Sequence, residues 1–399
     1  MAYRYFCIVI TFFVIGAATT FIEPLLPFLK VYLHLDYAQL MLFNTAFFIS
    51  YFLFAYLSGK LVSITGIKYG LILGNLLIFS GLVAWIIALQ NTTLFIMFLF
   101  ATMLIGCGVV ILFMITQFNA LFISGTRKTS QLSILQSAHA LGCFMAPLLV
   151  SYFLYHQSDP FLNNDLTYLK SILYTSMVVM VCLLLILSYS HFSEKLSYGS
   201  TVKNAKNSIG FYLNWFSLFV YVGVEISIAS FIISQGTVYY NIPIYDAKWL
   251  LALYWLFIIL GRVLAGFIMK QVHESKLFSI NTMIGCLVIS FSILIKHKLS
   301  LLFLATLGLI NAPIFPIIYS LGLSDQNKSN IKTSGIMASA IFGGGVIPLI
   351  AGILTDINLN MNLLIILFGY VYLFLANKIG LSLKKILLEP KLLKSVSND

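Results

Sequence analysis

The feature that most limits what this chain can become is a succession of long, continuously apolar runs separated by short polar breaks. A helix rises about 1.5 Å per residue, so about 20 apolar residues cross a hydrocarbon layer roughly 30 Å thick. Twelve runs meet that length. They lie near residues 5–30, 39–58, 68–90, 93–124, 131–156, 168–190, 207–236, 246–270, 276–296, 299–323, 331–356 and 360–387. Barrel strands alternate apolar and polar residues over about ten positions, and these runs do not. With 60% hydrophobic and 9% charged residues, against about 45–50% and 25% in soluble domains, a water-soluble globule is excluded. The expected fold is an all-α membrane protein of twelve transmembrane helices.

The net charge of +11 would suggest a nucleic-acid partner if it were gathered on one polar face. It is scattered singly between apolar runs, so no nucleic acid is expected. Topology accounts for it. With the N-terminus in the cytoplasm, Arg4, Lys60, Lys68, Arg127, Lys128, Lys195, Lys203, Lys206, Lys270, Lys276, Lys328, Lys332 and the five lysines from Lys378 to Lys394 fall on the cytoplasmic side. Lys30, Lys170, Lys248, Lys296 and Lys298 fall opposite, and Arg262 lies within a run. That asymmetry follows the positive-inside rule, and an even number of spans puts both termini in the cytoplasm. A multi-pass protein among lipids is the expectation.

The N-terminal stretch has the charge and apolar core of a secretory signal. Its apolar run continues past Gly16-Ala17-Ala18 to Pro24 and Pro27, so it is read as an uncleaved first span. Cys7, Cys107, Cys143, Cys182 and Cys286 all lie in apolar runs without metal-ligand spacing, and are read as small core residues. No metal and no cofactor are expected.

The longest internal polar segment, residues 191–208, separates six spans from six. The expected organisation is an N-terminal bundle over 1–190, a cytoplasmic linker over 191–208, a C-terminal bundle over 209–387 and a cytoplasmic tail over 388–399. The halves echo each other. Arg127-Lys128 precedes a span with Gly142 and Pro147, Lys328 precedes one with Gly343 and Pro348, and matching residues are 201 positions apart.

In span 7 the string Tyr221-Val222-Gly223-Val224-Glu225-Ile226-Ser227-Ile228-Ala229-Ser230 stands out. Gly261-Arg262 in span 8, Phe315-Pro316 to Ser320 in span 10 and Gly343-Gly344 with Pro348 in span 11 accompany it. Pro27-Phe28-Leu29-Lys30 and Ser58-Gly59-Lys60-Leu61-Val62 do so in the first half. Together these motifs resemble the fucose–galactose–glucose:proton symporters of the major facilitator superfamily, with Glu225 closer to the glucose/galactose arm. The resemblance implies two six-helix halves with the solute site between them near the membrane midplane. It places Glu23 at the span 1 acid that couples proton and sugar movement. Ser63 departs from the superfamily's acidic loop position, and Ile115 stands where fucose-transporting members carry a span 4 acid. Asn119 is followed by Ala120, and the family's span 5 Gln and Asn become Gln136 and His139.

A charged side chain at the bilayer centre costs from about 2.5 to more than 10 kcal/mol, so each one needs a reason. Glu23, Glu225 and Arg262 are the charged residues well inside runs, and His139 is the intramembrane imidazole. Glu23 precedes Pro24 and Pro27, which break the local helix. A carboxyl there loses water when a cavity closes and regains it when the cavity opens, which suits binding and releasing a proton. A plain wet interfacial carboxyl is the structural alternative. Glu225 and Arg262 are read as a possible pair across spans 7 and 8, fixing packing or meeting solute. Gln136 and His139 share a face of span 5, and both donate and accept hydrogen bonds, as a polyhydroxylated solute requires. His139 is also the alternative proton carrier. Thr116, Gln117, Asn119 and Asn311 are further polar candidates or interhelical hydrogen-bond partners, and Tyr221 and Trp255 are candidate stacking rings.

The expectation is a secondary transporter that couples uptake of a small polar solute, a hexose-type sugar, to protons. Glu23, His139 and Glu225 are the candidate proton carriers, and Gln117, Asn119, Gln136, His139, Arg262 and Asn311 the candidate solute contacts. The competing readings are proton-coupled efflux of drugs or metabolites, and uptake of a non-sugar solute, by the same fold. An enzyme is not expected, since no paired carboxylates, metal spacing or phosphate loop is present.

Overall fold

The computed structural model describes residues 2–90, 95–123, 128–155, 166–189, 209–295, 297–324, 331–358 and 360–396. The linker expected over 191–208, with Arg127, Lys296 and Lys328, lies outside them. Among the described residues there is no strand, and twelve helices are long and apolar enough to cross a membrane. In chain order these are α1 Tyr5–Tyr32, α2 Tyr37–Val62, α3 Ile67–Ala88, α4 Phe95–Gln117, α5 Leu132–Val150 and α6 Thr167–Ser188. The second six are α7 Ile209–Tyr239, α8 Asp246–Ile268, α9 Glu274–Leu294, α10 Leu299–Leu323, α11 Thr333–Ile357 and α12 Met361–Ser382. The helix that contains α12 continues to Val396, so the expected tail begins as helix.

Local chemistry sets the ends and the breaks. Asp36 accepts from the Gln39 amide at 2.6 Å while the Gln39 side chain accepts from the Asp36 amide at 3.1 Å, a reciprocal cap that starts α2. Gly66, at φ 87°, makes the left-handed corner between α2 and α3. Pro24 and Pro27 interrupt α1, which passes through a 3-10 turn at Glu23–Leu25 as the sequence led us to expect. α10 is broken between Asn311 and Ile314 around Pro313, and α11 carries a 3-10 turn at Ala340–Phe342.

Within the first half α1 packs on α5 and α4, and α3 on α4 and α6; within the second, α7 packs on α11 and α12, and α8 on α10. The halves are joined chiefly by α2 with α11 and α5 with α8, with smaller contacts of α5 with α10 and of α4 with α11. The 201-residue echo has a packing cause. A Cβ at Gly142 of α5 would collide with the Phe13 carbonyl of α1, and one at Gly343 of α11 with the Phe219 carbonyl of α7. Small residues there let the backbones approach, which is how helices gain contact in lipid. One expectation is corrected. Cys182 is exposed on α6 and Cys286 is half-buried, so only Cys7, Cys107 and Cys143 are core residues.

Candidate functional site

Between the halves lies a cavity of about 50 Å³, walled by α1, α2, α4, α5, α7, α8, α10 and α11. Its polar lining comes from Thr19, Gln117, Gln136, His139, Glu225 and Arg262, and its apolar lining includes the rings of Phe48, Tyr51, Phe113, Trp255 and Phe315.

Arg262, 3% exposed, organises the polar wall. Its Nη1 donates to the Gln136 carbonyl at 2.8 Å and lies 3.3 Å from His139 Nδ1. A guanidinium only donates, so Nδ1 accepts and a neutral His139 ring carries its proton on Nε2. Arg262 Nη2 is 4.0 Å from Glu225 Oε1, forming the expected pair across α7 and α8. Glu225 Oε1 also accepts from the Tyr221 hydroxyl at 2.8 Å. Gln136 Nε2 donates to Gln117 Oε1 at 3.3 Å. Two buried atoms of this wall have no protein partner, the acceptor Gln136 Oε1 and the donor Arg262 Nε.

Glu23 does not line the cavity but reaches it through a ring that does. It is 3% exposed, and its Oε2 accepts from Trp255 Nε1 at 3.4 Å, linking α1 to α8. Among the described residues the one buried ion pair is Glu225–Arg262, so Glu23 is a buried carboxyl without a cation.

The remaining candidates sit elsewhere. Asn311 accepts from the Tyr370 hydroxyl at 2.7 Å, donates to the Tyr254 hydroxyl at 3.0 Å, and its carbonyl accepts from Tyr221 at 3.0 Å. It holds α7, α8, α10 and α12 together rather than facing the cavity. Asn119 donates to the Ile115 carbonyl and Thr116 to Leu112 and Phe113, all within their own helix. Sequence reasoning missed Phe48, Tyr51 and Phe113 as cavity rings, and took Phe315 only as part of a motif. They sit in a chain rich in aromatics, and nothing in the local pattern marks which rings face inward.

Both ends of the cavity are shut. On the face opposite the termini, Asp356 at the end of α11 accepts from the Tyr37 and Ala38 amides of α2, each at 3.1 Å. Thr45 of α2 donates to the Gly345 carbonyl at 2.8 Å and Asn44 to the Ser230 hydroxyl at 2.8 Å. On the terminal face, Thr129 meets Ser320 at 2.6 Å, Ser130 donates to the Gly266 carbonyl at 2.6 Å, and Ser133 to the Arg262 carbonyl at 2.8 Å.

A family model described as Major Facilitator Superfamily matches residues 8–347. A glucose/galactose transporter of Brucella abortus biovar 1 (strain 9-941) is 27% identical over 381 residues, 92% of each chain. The glucose/mannose transporter GlcP of Bacillus subtilis (strain 168) is 31% identical over 185 residues, 46% of this chain and 44% of that one. The crystal structure of the E. coli fucose:proton symporter FucP superposes with a TM-score of 0.73 at 18% identity. It covers 95% of this chain and 99% of that one, a likeness of fold.

Proposed function

The chain belongs to the Major Facilitator Superfamily, and on that premise we propose that it takes up a hexose-type sugar with a proton, by alternating access of the cavity between α1–α6 and α7–α12. The observation that carries this reading is the unpartnered pair Gln136 Oε1 and Arg262 Nε on a wall faced by aromatic rings. A buried acceptor and a buried donor left open cost about 1–3 kcal/mol each unless a solute or water fills them. Hydroxyls are donor and acceptor at once, and the rings offer flat faces to a sugar's CH groups. The names of the Brucella and Bacillus relatives point to the same solute class. The polar wall also argues against efflux of apolar drugs.

At about 50 Å³ the cavity is well below the roughly 300–1,000 Å³ of ligand pockets. The structure is therefore read as the closed intermediate, which expands when either gate opens. Gln117, Gln136, His139 and Arg262 are assigned to the solute and Asn311 to holding the helices that shape the site, while Asn119, which donates to the Ile115 carbonyl, is given no solute contact. Glu23 is assigned the coupled proton. Sealed in the closed state, a Glu23 carboxylate is a buried charge with no cation, whereas the acid form is not, so the closed state passes most easily with the proton aboard. Because Arg262 is engaged by Glu225, that pair serves as the fixed counter-charge, with His139 and Glu225 as secondary proton carriers. The scheme places both termini in the cytoplasm, the protein in a bacterial inner membrane, and one chain per transport unit.

Counterflow and pH-driven uptake in proteoliposomes test this. Labelled glucose, galactose, mannose and fucose are set beside amino acids and organic acids. The expected result is hexose accumulation under an inward proton gradient, lost when the gradient is collapsed. Accumulation only of a non-sugar would overturn the solute, and gradient-independent equilibration would overturn the coupling.

A further inference from the structure

A second cavity, about 350 Å³, lies wholly within the first half, between α1, α3, α4, α5 and α6 and away from the site between the halves. Its walls include Phe13, Ala17 and Phe21 of α1, Leu149 of α5, and Ile172 and Val179 of α6. Ile172 and Met180 are five and thirteen residues into α6, about 8 and 20 Å from its start at 1.5 Å per residue. The cavity thus sits at hydrocarbon depth, reaching from within the leaflet opposite the termini to just past the midplane. Its lining reaches the surface at Leu149 and Val179, 52% and 44% exposed, beside the exposed Tyr152 and Val178. The hydroxyls in its lining, Thr175 and Ser176, donate to the Ser171 and Ile172 carbonyls of their own helix, each at 2.9 Å. A buried water needs two to four polar partners, and apart from these two hydroxyl oxygens, whose protons are already engaged, the lining side chains are apolar.

We propose that this cleft is a binding site for one acyl chain of a bilayer phospholipid, taken from the leaflet opposite the termini. At that depth the surrounding medium is hydrocarbon, the opening faces it, and the lining matches it. The chain lies against the back of α1, one turn before the break at Glu23–Leu25. The adjoining face of α1 is held to α5 by the close approaches at Gly16 and Gly142, the latter against the backbone of Phe13 and Ala17, which also line the cleft. Occupancy therefore presses on α1 beside its seam with α5, just before the break that carries Glu23.

The test uses the intact protein in phosphatidylcholine vesicles doped with a phospholipid carrying a mid-chain photoactivatable diazirine. Adducts are mapped by mass spectrometry. Adducts at Leu149, Val179 and Phe13 are expected about tenfold denser than at the open lipid-facing positions Leu287 and Phe291 of α9, as ~1.4 kcal/mol of preference gives. Ala18→Phe and Val179→Trp, which fill the cleft from opposite walls, should each bring cleft labelling down to the α9 level and leave α9 labelling unchanged. Equal density at the two places in the wild-type protein, which involves no variant, would overturn the site. So would labelling that persists in both filled variants while they remain folded. A diazirine fatty acid labelling the cleft where the phospholipid does not would overturn the stated source.

Discussion

The carboxylate of Asp356 bridges the two halves at one end of the cavity, and its removal has a calculable effect on the transport cycle. Both oxygens accept first-turn amides of α2, Tyr37 and Ala38, at 3.1 Å. Those amides are otherwise open helix-end donors. A side-chain cap is worth about 0.5–2 kcal/mol, and an anion at a helix N-terminus a further 0.3–1 kcal/mol at an exposed position. Asp36 still caps the Gln39 amide when Asp356 is gone, so α2 keeps its start. The loss is confined to states in which α2 and α11 meet. Asp356→Ala should therefore cost the closed arrangement about 1–2 kcal/mol, a shift of roughly 5–30-fold toward opening on that face. Spin labels at Gln39 and Asn360, measured by double electron–electron resonance in nanodiscs, should show a longer-distance population in the variant. Asp356→Asn, which keeps an acceptor but not the charge, should fall between. Distance distributions unchanged in both variants would refute the idea that this carboxylate holds the gate.

Three further outcomes follow from the site. Glu23→Gln should abolish gradient-driven accumulation while leaving counterflow measurable, because the permanently neutral side chain still crosses but carries no proton; full uphill uptake would remove Glu23 from the coupling. Gln136→Leu should weaken solute binding by about 1–3 kcal/mol, roughly 5- to 150-fold in Kd by calorimetry or competition, since it deletes the open acceptor. Asn311→Leu strands the Tyr254 and Tyr370 hydroxyls. It should therefore lower the melting temperature in detergent clearly while moving the KM of the protein that remains by less than Gln136→Leu does.

What could be read in the sequence was whatever a single helix determines. Each span announces itself by its own apolar run, and the break in α1 by Pro24 and Pro27, because backbone hydrogen bonding and proline geometry act within a few residues. The Gln136–His139 face and the Glu225–Arg262 pair were also legible, since a buried charge advertises its need for a partner. Contacts between helix ends were not. Asp356 and Tyr37 are 319 positions apart, and nothing local says that one carboxylate finds the other helix's amides. Facing was equally hidden. Lipid is as apolar as a protein core, so hydropathy could not tell that Cys182 looks outward while Cys143 is buried. For the same reason Asn311, which looks like a cavity residue by depth, is instead the knot of a buried tyrosine cluster.

The two gates are built alike, and that likeness bears on how the cycle runs. On the terminal face the closure is a file of serine and threonine hydroxyls, Thr129, Ser130 and Ser133, which meet Ser320 and the Gly266 and Arg262 carbonyls. On the other face it is Thr45, Asn44 and Asp356, meeting a carbonyl, a hydroxyl and two amides. The one described buried ion pair, Glu225–Arg262, joins helices of the same half. A buried ion pair across the halves would have to be broken at every turnover, at about 3–5 kcal/mol or more for each charge left alone. Neutral hydrogen bonds are worth about 0.5–1.5 kcal/mol each net, and water replaces them as a gate opens. Three on one side stand against four on the other, two of the four accepted by the exposed Asp356 carboxylate, so the two openings differ by no more than a few kcal/mol. In that balance, the occupancy of Gln136 and Arg262 by a solute, and of Glu23 by a proton, is large enough to choose between them. Arg262 is the exception that connects the sites. Its backbone takes part in the terminal-face closure through Ser133, its Nη1 holds the Gln136 carbonyl across the halves, and its Nε is a buried donor without a partner. A solute that engages Nε therefore acts on the same side chain that spans α5 and α8, which gives binding a direct mechanical hold on one gate.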